Sequence, residues 1–353
     1  MQNNRSKVLF FLFGGVGGAE RMTLNFGKML PKDRFDVTFV VCGRMKNILE
    51  FVPAGYNVEF IGWHNIYVFP RLRLAAMILK HKPDFVFSST QQLNVLLLQV
   101  ASWLNVSSVV RSDNMMAYIS EGLKRKLSQY YPLAHRIVAQ TEEMKTEIIE
   151  NYNVKSENVI CLHNPIDVQT INEKIQNGSN PYPQDESVNY VWVANFTPVK
   201  AHDVLIKAFE KVHKANQNAN LYFVGKVDKE DSNYCKVQKN VNDSIYRDFI
   251  HFTGFQSNPY VWMKYADCFV LPSRLEGLPN VLLEAMYLGT PVVASTCVPI
   301  IERIVNEGYN GYKVKPEDVD GLANAMEKAL LLKDFEIKFQ DNSVDYITNL
   351  FIK

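Results

Sequence analysis

The sequence predicts an α/β fold made of two doubly wound domains. Three features support this: a length of 353 residues, short apolar runs that alternate with helical segments, and one polar, turn-rich break in that alternation at 177–187. We expect a first domain at 1–167, a linker region at 168–187 and a second domain at 188–333. The C-terminal tail, 334–353, is expected to return to the first domain.

The composition indicates a globular protein, with 47% hydrophobic and 21% charged residues. The five cysteines show no metal-like pairing, so we expect the reduced thiols of a cytoplasmic protein. No secretory signal is expected, and no apolar run reaches the roughly 18 residues that a membrane span needs. A net charge of +1 gives no reason to expect a nucleic-acid partner.

The first domain is predicted to contain a parallel sheet, because apolar runs of strand length alternate with helical or loop segments. Open sheets of this kind bind ligands beyond the carboxyl ends of their strands, so residues that follow each run are candidate site residues. The runs lie at 7–13, 35–42, 57–61, 84–87, 107–110, 136–139 and 159–162.

A glycine-rich turn, GGVGG at 14–18, follows the first run and opens a helix near Ala19. Backbone amides in such a turn suit a phosphate. The pattern differs from that of a nicotinamide dehydrogenase, because Glu20 stands where the third glycine of the fingerprint belongs. The next strand also ends in Cys42-Gly43, without the acid that holds a cofactor ribose. A dinucleotide-dependent enzyme is therefore not expected.

Two segments of the first domain combine basic with apolar or aromatic residues. Segment 71–82 is apolar in its middle with bases at both ends, and 118–132 holds three bases at 124–126 beside two tyrosines at 130–131. Both compositions suit contact with an anionic membrane, although 71–82 also fits an ordinary packed crossover helix. We expect a peripheral contact of the first domain with the inner face of the cell membrane.

In the second domain the alternation restarts, and a loop at 193–203 follows its first predicted strand. This loop carries Lys200, a cation on a flexible stem that suits a phosphate. The predicted strands lie at 189–193, 221–224, 250–253, 268–271 and 291–294.

The C-terminal part of this domain holds a predicted turn at Asn310-Gly311 and a last long amphipathic helix at 321–332. An Asp-x-Asp string, Asp318 to Asp320, directly precedes that helix. An acid there is expected to cap the helix and complement its dipole rather than to hold a metal ion.

The most informative stretch is SRLEGLPNVLLEAMYLGTPVV at 273–293. Pro279 suits the first turn of a helix that ends at Gly289. Free amides at the start of that helix suit a phosphate. The nearby carboxylate of Glu276 is itself an anion and needs a different partner, for which sugar hydroxyls are natural candidates. Glu284 lies among apolar residues and needs partners such as ribose hydroxyls. Taken alone, a surface glutamate and a salt-bridged helix glutamate explain the pair equally well.

The spacing of Glu276 and Glu284, with the string around them, resembles the paired-glutamate motif of retaining glycosyltransferases of family 4. The GGAER string at 17–21 and the Lys200 loop are similar to that family too, and the resemblance runs from about Val8 to about Leu332. It implies a GT-B fold, in which two Rossmann-like domains face a cleft. It also implies retaining transfer from a nucleoside diphosphate sugar, UDP-sugar favoured over GDP-sugar, to a glycan or lipid-linked hydroxyl in cell-surface polysaccharide or glycolipid synthesis.

The resemblance assigns roles to individual residues, with no metal ion or other cofactor. Glu276 would lie by the donor sugar, Lys200 would neutralise the leaving diphosphate, and Glu284 would hold the ribose. Further contacts are implied in three groups. Donor contacts are Gly277, Leu278, Pro279, Asn280, Asn195, Gly225, Gly254, Phe255 and Arg274; diphosphate or acceptor contacts are Gly17, Gly18 and Arg21; acceptor-side residues are Arg111, Asp113 and His163.

The sequence departs from the family pattern at several positions. A histidine is frequent near Arg111 in the family and is absent here, and a structural role for His163 is favoured over a catalytic one. The phosphate loop lacks its usual arginine, having Asn195 and Thr197 at the candidate positions, so Arg274 or Arg21 would have to replace it.

Two other functions remain open. A nucleotide-sugar epimerase or hydrolase on this fold needs an acid–base pair that the sequence does not identify. A non-catalytic subunit fits the missing arginine, but intact Glu276, Glu284 and Lys200 oppose it.

Overall fold

The structure is a computed structural model that forms two compact units, Met1–Pro165 with Gln340–Lys353, and Ile166–Phe339. Some residues of the predicted segments lie outside the described residues. They are 16 in the glycine-rich turn, 118 in the basic segment 118–132, and 334, 337–342 and 353 in the C-terminal tail. The described ranges are 5–15, 17–43, 47–52, 54–61, 69–113, 119–332, 335–336 and 343–352.

In the described part of the first unit, seven parallel strands form one sheet in the order β3-β2-β1-β4-β5-β6-β7. Each predicted run forms one of these strands. The strands are β1 Ser6–Leu12, β2 Phe35–Val41, β3 Asn57–Phe60, β4 Phe85–Ser88, β5 Ser107–Arg111, β6 Arg136–Ala139 and β7 Val159–Cys161. The helices are α1 Gly18–Met29, α2 Pro70–His81, α3 Gln91–Trp103, α4 Glu121–Tyr130 and α5 Glu142–Tyr152.

Strand β1, inside the sheet, is apolar on both faces because helices cover both. Val8 to Leu12 are all buried; Phe10 belongs to the core that includes α1, and Phe11 to the core that includes α2 and α3. This double burial explains why the first strand appears in the sequence as a continuous apolar run rather than an alternating one.

In the part of the second unit that the structure describes, six parallel strands are ordered β10-β9-β8-β11-β12-β13. Adjacent strands within this order carry the loops of the candidate site. The strands are β8 Val188–Val193, β9 Ala219–Val224, β10 Ile250–Gly254, β11 Cys268–Leu271, β12 Val292–Ser295 and β13 Gly311–Val314. The helices are α6 Val168–Gln176, α7 His202–Ala215, α8 Ser232–Asp243, α9 Pro259–Lys264, α10 Asn280–Tyr287, α11 Pro299–Ile304 and α12 Val319–Ala329.

The segment expected as a linker, 168–187, is instead part of the second unit. Asp167 caps α6, whose Ile171 is buried in the core of that unit. Tyr182 is also buried, and its hydroxyl donates to the carbonyl of Trp262 at 2.6 Å. The turn-forming residues of this segment indicate irregular backbone. The segment nevertheless packs against the rest of the second unit, because Ile171 and Tyr182 are buried in its core.

The predicted turn at Asn310-Gly311 is confirmed for Asn310, which ends a turn at 308–310, but not for Gly311, which begins strand β13 and pairs with Val292 of β12. A Cβ on Gly311 would collide with the carbonyl of Val292, so only glycine fits. Asn310 is fully buried, and its side chain bonds the backbone of Ile304 and Asn306. The pair therefore closes the preceding loop onto the sheet.

The C-terminal helix, α13 Ser343–Leu350, belongs to the first unit. Ile347 and Leu350 are buried in its core, and the Phe351 ring lies 5.8 Å from the ring of Phe85. His135 Nε2 also lies 3.1 Å from the carbonyl oxygen of Ile352. The tail thus completes the same core as β1 and β4.

Candidate functional site

Lys200 and Glu276 meet at the carboxyl edge of the second sheet. Their loops follow β8 and β11, which are adjacent strands, so the fold brings residues distant in sequence together. Lys200 Nζ lies 2.6 Å from Glu276 Oε1, and the side chains are 21% and 9% exposed, respectively. We call residues 194–201 the Lys200 loop and 272–279 the Glu276 loop.

Ser273 forms a hydrogen bond with the Glu276 carboxylate. Its hydroxyl donates to Glu276 Oε1 at 2.6 Å, and the residue is fully buried. Ser295, at the end of β12, in turn donates from Oγ to the carbonyl of Ser273. Three adjacent strand ends, those of β8, β11 and β12, therefore fix the position of the carboxylate.

Cys297 lies in the electrostatic field of this pair. Burial raises the pKa of its thiol to about 11; Ser295 opposes the shift, and the charge of Glu276 adds to it. The thiol is thus kept protonated near neutral pH, and Cys297 contributes a neutral, half-buried side chain beside the charges.

Helix α10 begins immediately after the Glu276 loop. Pro279 occupies the N-cap position rather than the first turn, Leu278 is buried, and Gly289 ends the segment with a positive φ of 77°. The backbone from Gly277 to Asn280 therefore places the start of a helix next to Glu276. The positive end of its dipole favours an anionic ligand there.

Glu284 lies on the partly buried face of α10. Leu282, Leu283 and Met286 are buried, and Glu284 is half-buried with its Oε2 atom shielded from solvent, in keeping with the expectation of a carboxylate among apolar residues.

The ends of β8, β9 and β10 bring Gly225 and Gly254 together. The Gly225 amide donates to the Gly254 carbonyl at 3.2 Å, and a Cβ on Gly225 would collide with the carbonyl of Ala194. Gly254 has a φ of 75°, and the adjacent Phe255 is exposed. Asn195 is exposed as well, so these four predicted donor residues lie at one sheet edge.

Arg274, one of the two candidates for the missing phosphate-loop arginine, is engaged within the protein. Its five N–H donors are all directed to protein acceptors: the carboxylates of Asp203 and Glu317 and the carbonyl of Pro198. A diphosphate would have to break these bonds to reach the guanidinium. The expected donor contact of Arg274 therefore finds no support in the geometry.

In the first unit, Gly17 caps α1 and Gly18 begins it, with the Arg21 amide donating to the Gly17 carbonyl at 3.1 Å. The Arg21 guanidinium lies 5.7 Å from the ring centre of Phe51. A Cβ on Gly17 would lie 2.7 Å from Glu20 Oε2, so this glycine leaves room for the carboxylate.

Arg111 is buried rather than presented to a ligand. Its guanidinium donates to Asn164 Oδ1, and its carbonyl accepts from Asn94 at 2.9 Å. Burial lowers the pKa of Arg111 to about 10, an effect that nearby Asp113 opposes. His163 is exposed, whereas its neighbour Asn164 is buried.

Glu20 is a candidate residue that sequence reasoning missed. Burial raises the pKa of its carboxyl, a backbone bond lowers it, and the charge of Asp113 raises it again. Glu20 lies in the first turn of α1, which follows β1, and Asp113 follows β5. The sequence signal that could have identified Glu20 is the position of an acidic residue shortly after the glycine-rich turn at 14–18.

Asp318 and Asp320 have separate structural roles. Asp318 caps α12, as predicted, by accepting from the Gly321 amide at 2.8 Å, and Asp320 pairs with Lys211. Within the described ranges, no group of three or more His, Cys, Asp or Glu side chains is placed to hold a metal ion. No helix in those ranges has the length and apolar character needed to cross a bilayer.

Two protein families match this chain. A profile described as glycosyl transferases group 1 matches residues 145–345, more than half of the chain. A profile described as glycosyltransferase family 4 matches residues 16–170.

Individual proteins match over almost the whole chain. An uncharacterized glycosyltransferase of Haemophilus influenzae is 24% identical, over 96% of this chain and 94% of its own length. The N,N'-diacetylbacillosaminyl-diphospho-undecaprenol α-1,3-N-acetylgalactosaminyltransferase of Campylobacter jejuni is 25% identical, over 88% and 82%. The crystal structure of Anabaena HepE with UDP and glucose has a TM-score of 0.76 at 20% identity, covering 98% and 94%. The fold is therefore GT-B, with two Rossmann-like units.

Proposed function

The chain belongs to the glycosyl transferases of group 1, and we propose that it transfers a sugar from a nucleoside diphosphate donor with retention at the anomeric carbon. It is a glycosyltransferase of polysaccharide or lipid-linked glycan synthesis. The acceptor is a hydroxyl of a glycan or lipid-linked glycan. The observation that carries the proposal is the Lys200–Glu276 pair beside the start of α10.

The pair suits the charges of glycosyl transfer. Negative charge develops on the departing diphosphate and positive charge on the sugar ring, so a cation and a carboxylate are needed in adjacent positions. Lys200 supplies the cation and Glu276 the carboxylate. The amides at Gly277 to Asn280 add a second positive field for the phosphate oxygens without a metal ion.

Binding of the nucleoside is assigned to Glu284, Gly225, Gly254 and Phe255. Glu284, on the partly buried face of α10, accepts the ribose hydroxyls, and the two glycines contact the base through backbone atoms. UDP is the favoured nucleotide, supported by the UDP in the HepE structure, and the lipid-linked acceptor is supported by the name of the Campylobacter relative.

A panel of nucleotides tests the donor assignment. UDP or GDP at about 100 times its dissociation constant stabilises the folded protein by roughly 2.7 kcal/mol and raises the melting temperature. NAD and NADP are expected to leave it unchanged. A melting temperature that rises with NAD and not with UDP or GDP would contradict a transferase.

A hydrolase or epimerase is the second candidate, because burial and, to a smaller extent, the charge of Asp113 raise the pKa of the Glu20 carboxyl, a direction that suits a general acid. The two functions differ in their need for acceptor. A transferase consumes UDP-sugar at its full rate only when acceptor is present, whereas a hydrolase or epimerase converts the donor alone.

Membrane contact is assigned to α2 rather than to α4. Tyr131, expected at an interface, is fully buried, and Lys124 pairs with Glu121 at 2.7 Å. In contrast, α2 has no acidic residue. Phe69, Leu72 and Leu79 are exposed near one face of it, flanked by the exposed bases Arg71, Arg73 and Lys82. A fourth exposed base, Lys80, pairs with Glu59 at 2.8 Å.

A further inference from the structure

Arg274 connects three separate segments of the second unit. Nη1 and Nη2 form a bidentate pair with Asp203 at 3.0 and 2.8 Å, and Nε and Nη2 form another with Glu317 at 2.5 and 3.0 Å. Nη1 also donates to the Pro198 carbonyl at 2.8 Å. The guanidinium thus joins the Glu276 loop to the Lys200 loop, to the start of α7 and to the residue before Asp318.

The backbone strengthens the same connection. The Arg274 amide donates to the Val199 carbonyl at 2.7 Å, so both the main chain and the side chain of this residue hold the turn that carries Lys200. Arg274 lies two residues from Glu276 and its contacts lie one and two residues before Lys200. A shift of either loop would therefore be passed to the other.

Two residues of this network have a backbone conformation that L-residues adopt rarely. Ala201, which follows Lys200 and is fully buried, has a φ of 51°, and Glu317 has a φ of 67°. Such conformations persist only where the surroundings impose them. Arg274 bonds the backbone of Val199 and the side chain of Asp203, each two residues from Ala201, and the side chain of Glu317. It is therefore among the contacts that hold both conformations.

We propose that Arg274 is a positioning residue that sets the distance between Lys200 and Glu276, an assignment that rests on the proposed function of this pair. The paired carboxylates neutralise the guanidinium, so its role is geometric rather than a contribution of positive charge to the donor. A flat guanidinium with a fixed fork of donors can hold two carboxylates and a carbonyl together, whereas an ammonium cannot.

The test compares Arg274→Lys with Lys211→Gln, which removes an exposed ion pair between α7 and α12 in the same unit. Arg274→Lys is expected to lower kcat by about 10- to 100-fold, the scale for a displacement of about 1 Å at a reacting group. The KM for the donor should stay within about threefold of its original value, because the nucleoside contacts are untouched. Lys211→Gln should leave both constants unchanged.

A second comparison separates positioning from a general structural effect. In a Lys200→Met background, Arg274→Lys should lower kcat by no further factor, since the residue acts through Lys200. If kcat of the double variant were lowered by the product of the two single-variant factors, the proposal would be overturned. A kcat of Arg274→Lys equal to that of the wild type would also overturn it.

Amide hydrogen exchange tests the loop itself, whatever reaction the protein catalyses. The amides of Lys200 and Ala201 donate to Thr197 and Pro198 at 3.0 and 3.2 Å, and both should exchange faster in Arg274→Lys than in wild type or Lys211→Gln. Unchanged exchange would overturn the positioning role. Absence of sugar transfer by the wild type, with faster exchange in the variant, would instead count against the proposed function alone.

Discussion

Lys200 and Glu276 are 76 residues apart in sequence, yet Lys200 Nζ and Glu276 Oε1 lie 2.6 Å from each other. The contact follows from the order of the sheet, since β8 and β11 are neighbours and both loops leave its carboxyl edge. Because both side chains are largely shielded from water, the ion pair is weakly screened and well suited to hold charge in place.

Replacing Lys200 by methionine should lower turnover far more than it lowers stability. The variant removes positive charge from the developing diphosphate, and loss of one such preorganised group typically costs on the order of 10²- to 10³-fold in kcat. Steady-state kinetics with thermal unfolding as a second measurement checks this. Lys211→Met is the matched control; an unchanged kcat in Lys200→Met would leave Lys200 as a partner of Glu276 only.

Replacing Glu284 by alanine should weaken nucleotide binding by roughly 1.5–3 kcal/mol, the range for hydrogen bonds to a charged group. Isothermal titration with UDP measures the loss. Glu327→Ala, at an exposed position of α12, is the control and should bind like wild type. Wild-type affinity in folded Glu284→Ala would refute the ribose assignment.

The free energy of unfolding should decrease as the pH is lowered, because of His202. Burial lowers its pKa from 6.5 to about 4; Asp203 opposes this shift, while Lys200 and Arg274 add to it. Between these pH values the unfolded chain binds a proton that the folded chain does not. Stability is therefore complete above pH 6.5 and is lost as the pH falls toward 4, by up to roughly 3 kcal/mol at 1.36 kcal/mol per pKa unit.

The variant His202→Phe isolates this contribution. A phenyl ring preserves the stacking on Phe196, whose ring centre lies 5.1 Å from that of His202, and it does not titrate. Urea unfolding at pH 7 and pH 5 should show a smaller difference in unfolding free energy for the variant than for wild type. An equal difference would show that other groups cause the pH dependence.

Activity should survive excess EDTA, since Lys200 and the amides at the start of α10 supply the positive charge near the leaving group. Asp318→Asn should cost little stability, because asparagine also caps helices, and it should leave turnover unchanged. Activity that EDTA abolishes and manganese or magnesium restores would contradict the metal-free mechanism.

Membrane binding should depend on the exposed apolar residues of α2. The double variant Leu72→Glu/Leu79→Glu should sediment less with vesicles containing anionic lipid at low salt, because it removes apolar burial and adds charge repulsion. Reversing the three charges at 124–126 of α4 serves as the comparison and should have the smaller effect. Equal loss in both variants, or none in the α2 variant, would contradict the assignment to α2.

The strands and the Lys200 and Glu276 loops could be predicted because they depend on local signals. Continuous apolar runs indicate strands buried on both faces, and glycine and proline mark the ends of α10. The embedding of 168–187 in the second unit could not be predicted in this way, since composition indicates irregular backbone and says nothing about what Ile171 or Tyr182 packs against.

The role of Arg274 also lay beyond the sequence. Its partners Asp203 and Glu317 are 71 and 43 residues away, and an acid in the first turn of α7 looks like an ordinary complement to the helix dipole. Glu20 was hidden for a similar reason, because its raised pKa depends on burial and on Asp113, which follows another strand. Long-range pairs of this kind are visible only after the strand order is known.

Sugar transfer with a defined stereochemistry tests the central claim most directly. Purified protein is incubated with a UDP-α-sugar, a lipid-linked glycan acceptor and excess EDTA, and the product is examined by mass spectrometry and by the anomeric proton coupling in its NMR spectrum. We predict an acceptor heavier by one sugar in an α linkage for wild type, with the rate strongly reduced in Glu276→Gln and unchanged in Glu327→Gln. A β-linked product would contradict retention, and conversion of the donor with the acceptor left unmodified would contradict glycosyl transfer.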